Sequence, residues 1–402
     1  MKKSMEVRIL TNDEKKRIAA RRKKIAVLSA FIVVCCILSM VVGAYLYIRT
    51  SLEKMNYEED PQEIVINTDI EIETEEEEEL EGIVINDEER ERIEQALQDN
   101  LNSGLIGTSH VVNILLIGSD KRDDTWDGNS DAMILASINN DTKEIILTSI
   151  MRDTYVTIPN YGNNKVNLAH ALGGAPYLTQ TIEANFGIDI NYYASVNFNS
   201  FISIIDVMGG IPMYVSPAEV KVANKYIEDM YREGNITEKG EYLPEEGGNL
   251  YLTGTQALAF SRIRYVGNSD YERTERQRRV LEEVVKKTRS LSLSQLTQIF
   301  NVASPYVTHN IPGDELMNLV LMLPTLLSYE IVSDRIPYDG MYQMVIINNQ
   351  DMLVPDWPAT LANLHGKIYR NVSAEDLAED AQKKETVGAS VVQQNETGEA
   401  LE

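Results

Sequence analysis

From residue 110 onward the apolar residues gather in short runs rich in β-branched side chains: "VVNILLIG" at 111–118, "AMILASI" at 132–138 and "EIILTSI" at 144–150. Runs of this length, nearly continuous rather than alternating, are what strands buried on both faces require. The last two are joined by "NNDTK", a turn signal, and so open a sheet. Helical spacing follows. "APYLTQTIEANFG" has Pro176 near its start and Gly187 after its end, while "NFNSFISIIDVMGG" offers Asn197 as a cap and two glycines as a stop. "DELMNLVLMLPTLL" and "MYQMVII" continue the same style toward residue 370. Strands alternating with helices predict an α/β domain over residues 110–370, a mixed central sheet covered by helices in an α-β-α arrangement.

Upstream the pattern is different. Residues 25–48, "IAVLSAFIVVCCILSMVVGAYLYI", carry no charge, which exceeds the ~20 residues a helix needs to cross a bilayer. A cleaved signal is the competing reading, but its apolar region is usually ~7–15 residues long and ends in small residues, whereas this run ends in "YLYIRT". Residues 1–24 hold ten Lys and Arg against three Asp and Glu, a balance of +7. Positive flanks stay inside, so the expectation is a cytoplasmic tail (1–24), a single transmembrane helix (25–48) and an external body at the cell membrane. Residues 49–109 are dominated by acids and predict an extended, solvated acidic stalk, with a short polar helix from Asp87 to about Leu101. Residues 371–402 read as a disordered tail.

Charge narrows the partners. The 402-residue chain has a formal net charge of -25, and subtracting the +7 of the tail leaves -32 on residues 49–402. Such a surface repels polyanions at long range, which argues against nucleic acid. The two cysteines, Cys35 and Cys36, lie in the apolar span, so the external body folds without disulfides.

Against that acidic background "SRIRYVGNSDYERTERQRR", Ser261 to Arg279, concentrates six arginines. In an extended segment Arg262 and Arg264 project from one face and Ile263 from the other. The helical stripe of Val280, Leu281 and Val284 runs back through Gln277 to Arg273, which predicts two polar residues facing inward. Arg278 and Arg279 fall on other faces as ordinary solvated charges, and Arg276 is borderline. An inward arginine needs an anion, because an unpaired buried charge costs several kcal/mol. Asp270, Glu272 and Glu275 are nearby protein partners; a bound phosphate is the alternative.

A second cluster lies in "GSDKRDDTWDGNSD", which brings Asp120, Asp123, Asp124, Asp127 and Asp131 around one loop. Its opening resembles a calcium loop, but Ile134 stands where the bidentate acid is needed. Carboxylates beside phosphate-binding cations suit Mg²⁺; a loop acidic only for solubility remains open. Arg152 and Asp153 follow the apolar run ending at Ile150, and Lys165 opens "KVNLAHAL". Cations at strand ends are often merely solvated, yet in open α/β sheets ligands gather beyond strand C-termini. The histidines, at 110, 170, 309 and 365, show no ligand spacing, and no nucleophile or zinc motif is present.

The segments "NILLIGSDKR", "NSDAMILASI", "SIMRDTYVTIP", "KVNLAHALGG", "VNFNSFISIIDVMGGI" and "LTGTQALAFSRIRY" with "DYERTERQRR" resemble, in order over about residues 112–285, the LytR-CpsA-Psr family of bacterial envelope proteins. The resemblance implies a membrane-anchored phosphotransferase that moves a glycopolymer, of teichoic acid or capsule type, from a polyprenyl-pyrophosphate carrier to a peptidoglycan sugar through a phosphodiester. A pyrophosphatase and a non-catalytic wall-binding or regulatory protein are the alternatives. By motif, the resemblance assigns Asp120 and Asp131 to Mg²⁺, and these with Arg152, Arg262 and Arg264 to catalysis. It assigns Arg122, Lys165, Arg273 and Gln277 to the pyrophosphate. Two positions depart from the family pattern: Asn129 stands for an arginine and Met151 for a proline.

Overall fold

The computed structural model describes residues 49–376, except 51, 62, 69–79, 102–104, 120–127, 235, 237, 264, 265, 267, 268, 293, 294, 296, 297, 300, 303, 374 and 375, and the side chains of residues 131 and 269–271. The expected membrane span at 25–48 and most of the expected tail lie outside these residues. Among the described residues no helix is long and apolar enough to cross a membrane. The chain divides into two compact units, residues 1–53 and 54–402. In the first, the described residues form a helical turn with Arg49 paired to Glu53 at 3.4 Å.

The second unit begins with β1 (Asn56–Tyr57), β2 (Ile83–Val84) and α1 (Asp87–Leu101), then β3 (Val111–Ser119), β4 (Ser130–Asn139), β5 (Glu144–Ile150) and the pair β6 (Tyr155–Ile158) and β7 (Gly162–Lys165). Helix α2 (Leu168–Phe186) is broken at Gly173 and Gly174, so Pro176 falls in the first turn of its second half, where a missing N–H costs little. Next come β8 (Tyr192–Val196) and α3 (Phe198–Val207). Asn197 caps α3 by accepting from the Ser200 amide, and Gly209 and Gly210, at φ 76 and 79, end it. Gly210 is required twice over, since an added Cβ would also meet the Leu252 carbonyl at 2.7 Å.

The remainder is β9 (Ile211–Val215), α4 (Pro217–Arg232), β10 (Gly248–Leu252), α5 (Gly254–Ser261), α6 (Ser269–Arg289), β11 (Val307–His309), α7 (Gly313–Leu326), β12 (Glu330–Ile336), β13 (Tyr342–Ile347), β14 (Gln350–Pro355) and α8 (Trp357–Ile368). Seven strands form the central sheet in the order β1-β11-β8-β3-β4-β5-β12, with parallel and antiparallel neighbours, as expected of a mixed sheet.

Strand alternation explains both covered faces. Leu115, Ile117, Met133, Leu135 and Ile150 join one core with α2 and with Trp357 and Leu364 of α8. The intervening Ile134, Ala136 and Leu147 pack with Leu281 of α6 on the other face. A separate core, centred on Ile227, Leu252, Phe260 and Val280, knits β9, β10 and helices α3 to α6 into an outgrowth between β8 and β11.

The expectation of a solvated stalk over 49–109 is corrected where those residues are described. Asn56 and Tyr57 pair with β11, Ile83 and Val84 with β13, and the amides of Glu81 and Gly82 donate to Asp351 at 2.9 Å each. Ile64, Ile66 and Ile85 pack on the first core, and Leu97 of α1 is fully buried in it. The acids obscured two apolar signals, "EIVIN" and "GIVIN". The helix expected from Asp87 to Leu101 forms with those bounds.

Candidate active site at the strand ends

Helix α6 runs antiparallel to β12, because successive contacts move in opposite directions along the two elements. Arg278 Nη1 donates to the Asp334 carbonyl (3.2 Å), Glu282 accepts from Ser333, and Arg289 Nη2 donates to the Tyr329 carbonyl (2.7 Å). Since β12 is parallel to β5, the N-terminal half of α6 points toward the end of β5, where Arg152 begins the next turn. Arg273 lies about 7.5 Å up the axis from Arg278, at a helical rise of about 1.5 Å per residue. The same edge receives the end of β3 at Ser119 and the start of β4 at Ser130. Strand C-termini, a cation and a helix N-terminal half therefore converge, the arrangement that favours anions.

At the end of β5 the structure joins three expected or flanking residues. Asp153 accepts from Arg152 Nε (3.3 Å) through one oxygen and pairs with Lys165 Nζ (2.9 Å) through the other. The turn is held by Thr154, whose amide and hydroxyl both donate to the Met151 carbonyl, at 3.1 and 2.6 Å. Arg152 is only partly buried, so its guanidinium remains accessible while Asp153 orients it.

The register of β3 on β4 contains an irregularity: Gly118 pairs with Ala132 but Ser119 pairs with Ser130. Residue 131 is the extra one. A bulge of this kind re-aims a strand position and is common beside active sites. The hydroxyl of Ser130 beside it is fully buried with no hydrogen-bond partner among the described residues. Asp120, Arg122 and Arg264, and the side chain of Asp131, lie outside the described residues.

Sequence reasoning missed His170. This buried side chain on α2 donates from Nδ1 to the Gly128 carbonyl at 2.8 Å, fastening the end of the acidic loop to the helix. Its partner is a backbone atom 42 positions away, and only the local motif "KVNLAHAL" marked the neighbourhood.

Around α6 the arginines divide. Arg276, 2% exposed, donates from Nε to Glu219 (2.9 Å) and from its terminal nitrogens to the carbonyls of Ile263 (3.2 Å) and Val266 (2.9 Å). Glu219 also closes the capping box of α4 with Ser216, so one carboxylate joins two helices. Burial would raise the Glu219 carboxyl, but hydrogen bonds from Ser216 and Arg276 outweigh it and hold the group below its ordinary value. Arg273 is 3% exposed and Gln277 half-buried, both inward as the stripe predicts. Val280 and Val284 face the outgrowth core, whereas Leu281 faces the sheet, so α6 carries two apolar stripes rather than one.

Two expectations fail here. Arg278 is buried against the Asp334 carbonyl and pairs with Glu275, and Arg279 Nη2 donates to the Tyr214 carbonyl (3.0 Å); neither is a free solvated charge. Arg262 is not in an extended segment but in helical geometry as the C-cap of α5. Ile263 is fully buried in the outgrowth core, against which the rings beneath Arg262 also pack. The Arg262 guanidinium lies over the rings of Phe198 (4.7 Å) and Tyr226 (5.8 Å), and its buried Nη1 has no hydrogen-bond partner among the described residues. Aromatic faces hold the cation without using its donors.

The model of the LytR_cpsA_psr family matches residues 76–365. A protein of Enterococcus faecalis named polyisoprenyl-teichoic acid–peptidoglycan teichoic acid transferase TagU is 32% identical over 240 residues, 58% of this chain and 72% of that protein. A solved structure from Streptococcus agalactiae is similar with a TM-score of 0.55 at 26% identity, covering 67% of this chain and 89% of its own. Bacillus subtilis TagT is similar in fold, with a TM-score of 0.51 at 24% identity, covering 67% of this chain and 92% of that one.

Proposed function

The chain belongs to the LytR-CpsA-Psr family, and we propose that it transfers a glycopolymer of teichoic acid or capsule type from a polyprenyl-pyrophosphate carrier to peptidoglycan. The observation that carries this reading is the convergence of Arg152 with the arginine-bearing half of α6 at the C-terminal edge of β5 and β12. A pyrophosphate donor brings dense negative charge to a site whose donors are already oriented, which is where electrostatic preorganisation acts most strongly.

In the reaction, a peptidoglycan sugar hydroxyl attacks the phosphorus next to the glycopolymer. A new P–O bond forms, the bridging P–O bond breaks, and polyprenyl phosphate leaves with that electron pair. Either Asp120 or Asp131 takes the hydroxyl proton. Arg152, Arg262 and Arg264 hold the oxygens on which charge grows, and guanidinium forks match phosphate oxygens two at a time. Arg122, Lys165, Arg273 and Gln277 position the pyrophosphate. Asp153 and His170 act through others, the first orienting Arg152 and Lys165 and the second anchoring the loop.

Mg²⁺ suits this edge: Asp120 directly follows Ser119, residue 131 occupies the bulge opposite, and the Ser130 hydroxyl is unsatisfied there among the described residues. Asp120 and Asp131 would hold the ion, which neutralises phosphate charge when bound. The basic tail and apolar span support a single-pass arrangement, with the N-terminus cytoplasmic and the catalytic domain outside.

Mass analysis of products from a lipid-pyrophosphate glycopolymer donor, with and without peptidoglycan, tests the reading. Expected is a glycan–phosphate–peptidoglycan adduct formed only with acceptor. Release of glycopolymer phosphate at equal rate in both would indicate a pyrophosphatase, and an intact donor a binding protein.

A further inference from the structure

Strands β9 and β10 pair antiparallel with Tyr214 opposite Asn249 and Pro212 opposite Tyr251. One face of this ribbon is buried, through Ile211, Met213, Val215 and Leu252. The other presents Tyr214 at 58% and Tyr251 at 66% exposure, with the exposed Asn249 between them. The tyrosines are diagonal neighbours on that face, about 7–8 Å apart by strand geometry. Two large rings side by side in water are a costly surface for a ribbon that needs only polar residues outside.

Helix α6 forms a groove beside β9, lined by Pro212, Met213, Tyr214, Arg279, Glu282, Glu283 and Lys286. Arg279 fixes the floor through the Tyr214 carbonyl at 3.0 Å. Lys286 pairs with Glu283 at 2.7 Å, and Lys287 stands over the Tyr251 ring at 5.1 Å. The groove, with Tyr251 beside it as the strand partner of Pro212, thus offers flat apolar rings, carboxylates and ammonium groups together.

We propose that this groove seats the acceptor glycan strand, an inference that rests on the reading of peptidoglycan as acceptor. A pyranose has an apolar C–H face that lies on an aromatic ring and a rim of hydroxyls that donate to carboxylates. Amino sugars add acetamido N–H donors for Glu282 and Glu283, and peptide-stem carboxylates meet Lys286 and Lys287. A lipid surface fits less well, because the groove exposes paired carboxylates and, among the described residues, no large aliphatic side chain is exposed beside the tyrosines. The diagonal spacing of the two tyrosines exceeds a single pyranose ring, so an oligosaccharide, not a single sugar, is the fitting acceptor.

The test is calorimetric titration of the full chain in detergent with two probes, chitotetraose and soluble uncrosslinked peptidoglycan strands. The variants are Tyr214→Ala/Tyr251→Ala and Tyr214→Phe/Tyr251→Phe. Expected is saturable binding that weakens at least tenfold in the alanine variant and persists in the phenylalanine variant, with unchanged thermal midpoints. In turnover, the alanine variant should raise the KM for acceptor and leave that for donor unchanged. Equal binding by wild type and alanine variant, absence of binding to both probes, or tyrosine-dependent binding to phosphatidylglycerol vesicles alone would overturn the proposal. Because titration needs no turnover, tyrosine-dependent glycan binding by a chain that transfers nothing would keep the groove and reject the reaction; transfer with tyrosine-independent binding would do the reverse.

Discussion

Arg262 and Arg276 belong to one short stretch and are both held by the protein, yet their surroundings divide them. Arg276 has its donors matched by Glu219 and two backbone carbonyls, all within the chain. Arg262 is held by two aromatic faces, and a buried nitrogen of its guanidinium meets no acceptor among the described residues. A cation supported through its face keeps its edge for something else. The residue type alone says nothing about this difference; the partners decide whether an arginine builds the fold or serves a ligand.

The largest effect should follow from breaking the structural member. Arg276→Met leaves the Glu219 carboxylate buried without its partner, which costs about 3–5 kcal/mol. Chemical denaturation should show that loss, while any protein still folded turns over normally.

Arg262→Lys should do the opposite, keeping the charge while losing the planar fork and stacked geometry. Turnover should fall roughly 30- to 1000-fold, equivalent to about 2–4 kcal/mol in the transition state, with little change in thermal midpoint. The same direction is expected for Arg273→Lys. Arg278→Lys should act on stability instead, since Arg278 is buried against the Asp334 carbonyl.

A smaller effect is expected at His170. His170→Leu removes the bond to the Gly128 carbonyl, worth about 1–3 kcal/mol when the acceptor is left buried. The Mg²⁺ concentration for half-maximal activity should rise in the variant, a shift that simple destabilisation would not produce in the folded fraction.

The smallest effect is on pH dependence. Burial lowers the pKa of His309 and of His365, outweighing the backbone hydrogen bond each makes. Both are therefore neutral in the folded chain where the unfolded chain begins to protonate, so their stability contribution is complete above the ordinary histidine pKa of about 6.5 and declines as pH falls below it. Urea unfolding between neutral pH and pH 5 should show that decline, reduced in His309→Gln.

Much of the central sheet was legible because its strands are covered on both faces and leave nearly continuous apolar runs, as at 111–119 and 144–150. Asn197 and the paired glycines after α3 were legible because capping is local. The outgrowth over β9, α4 and β10 was not, since its apolar residues are interspersed with exposed tyrosines and charges. Inward Arg273 and Gln277 followed from helical phase. The burial of Arg278 and the role of Glu219 did not, because their partners are a carbonyl 56 positions away and a guanidinium 57 positions away. Periodicity reports which side of an element is buried, but not which distant atom waits there.

The most direct measurement is titration of the full chain with inorganic pyrophosphate in the presence of Mg²⁺, comparing wild type with Arg262→Lys. Saturable binding that weakens at least tenfold in the variant, with an unchanged thermal midpoint, is the predicted result. Equal affinity in the two proteins would contradict the account and return Arg262 to the same structural class as Arg276.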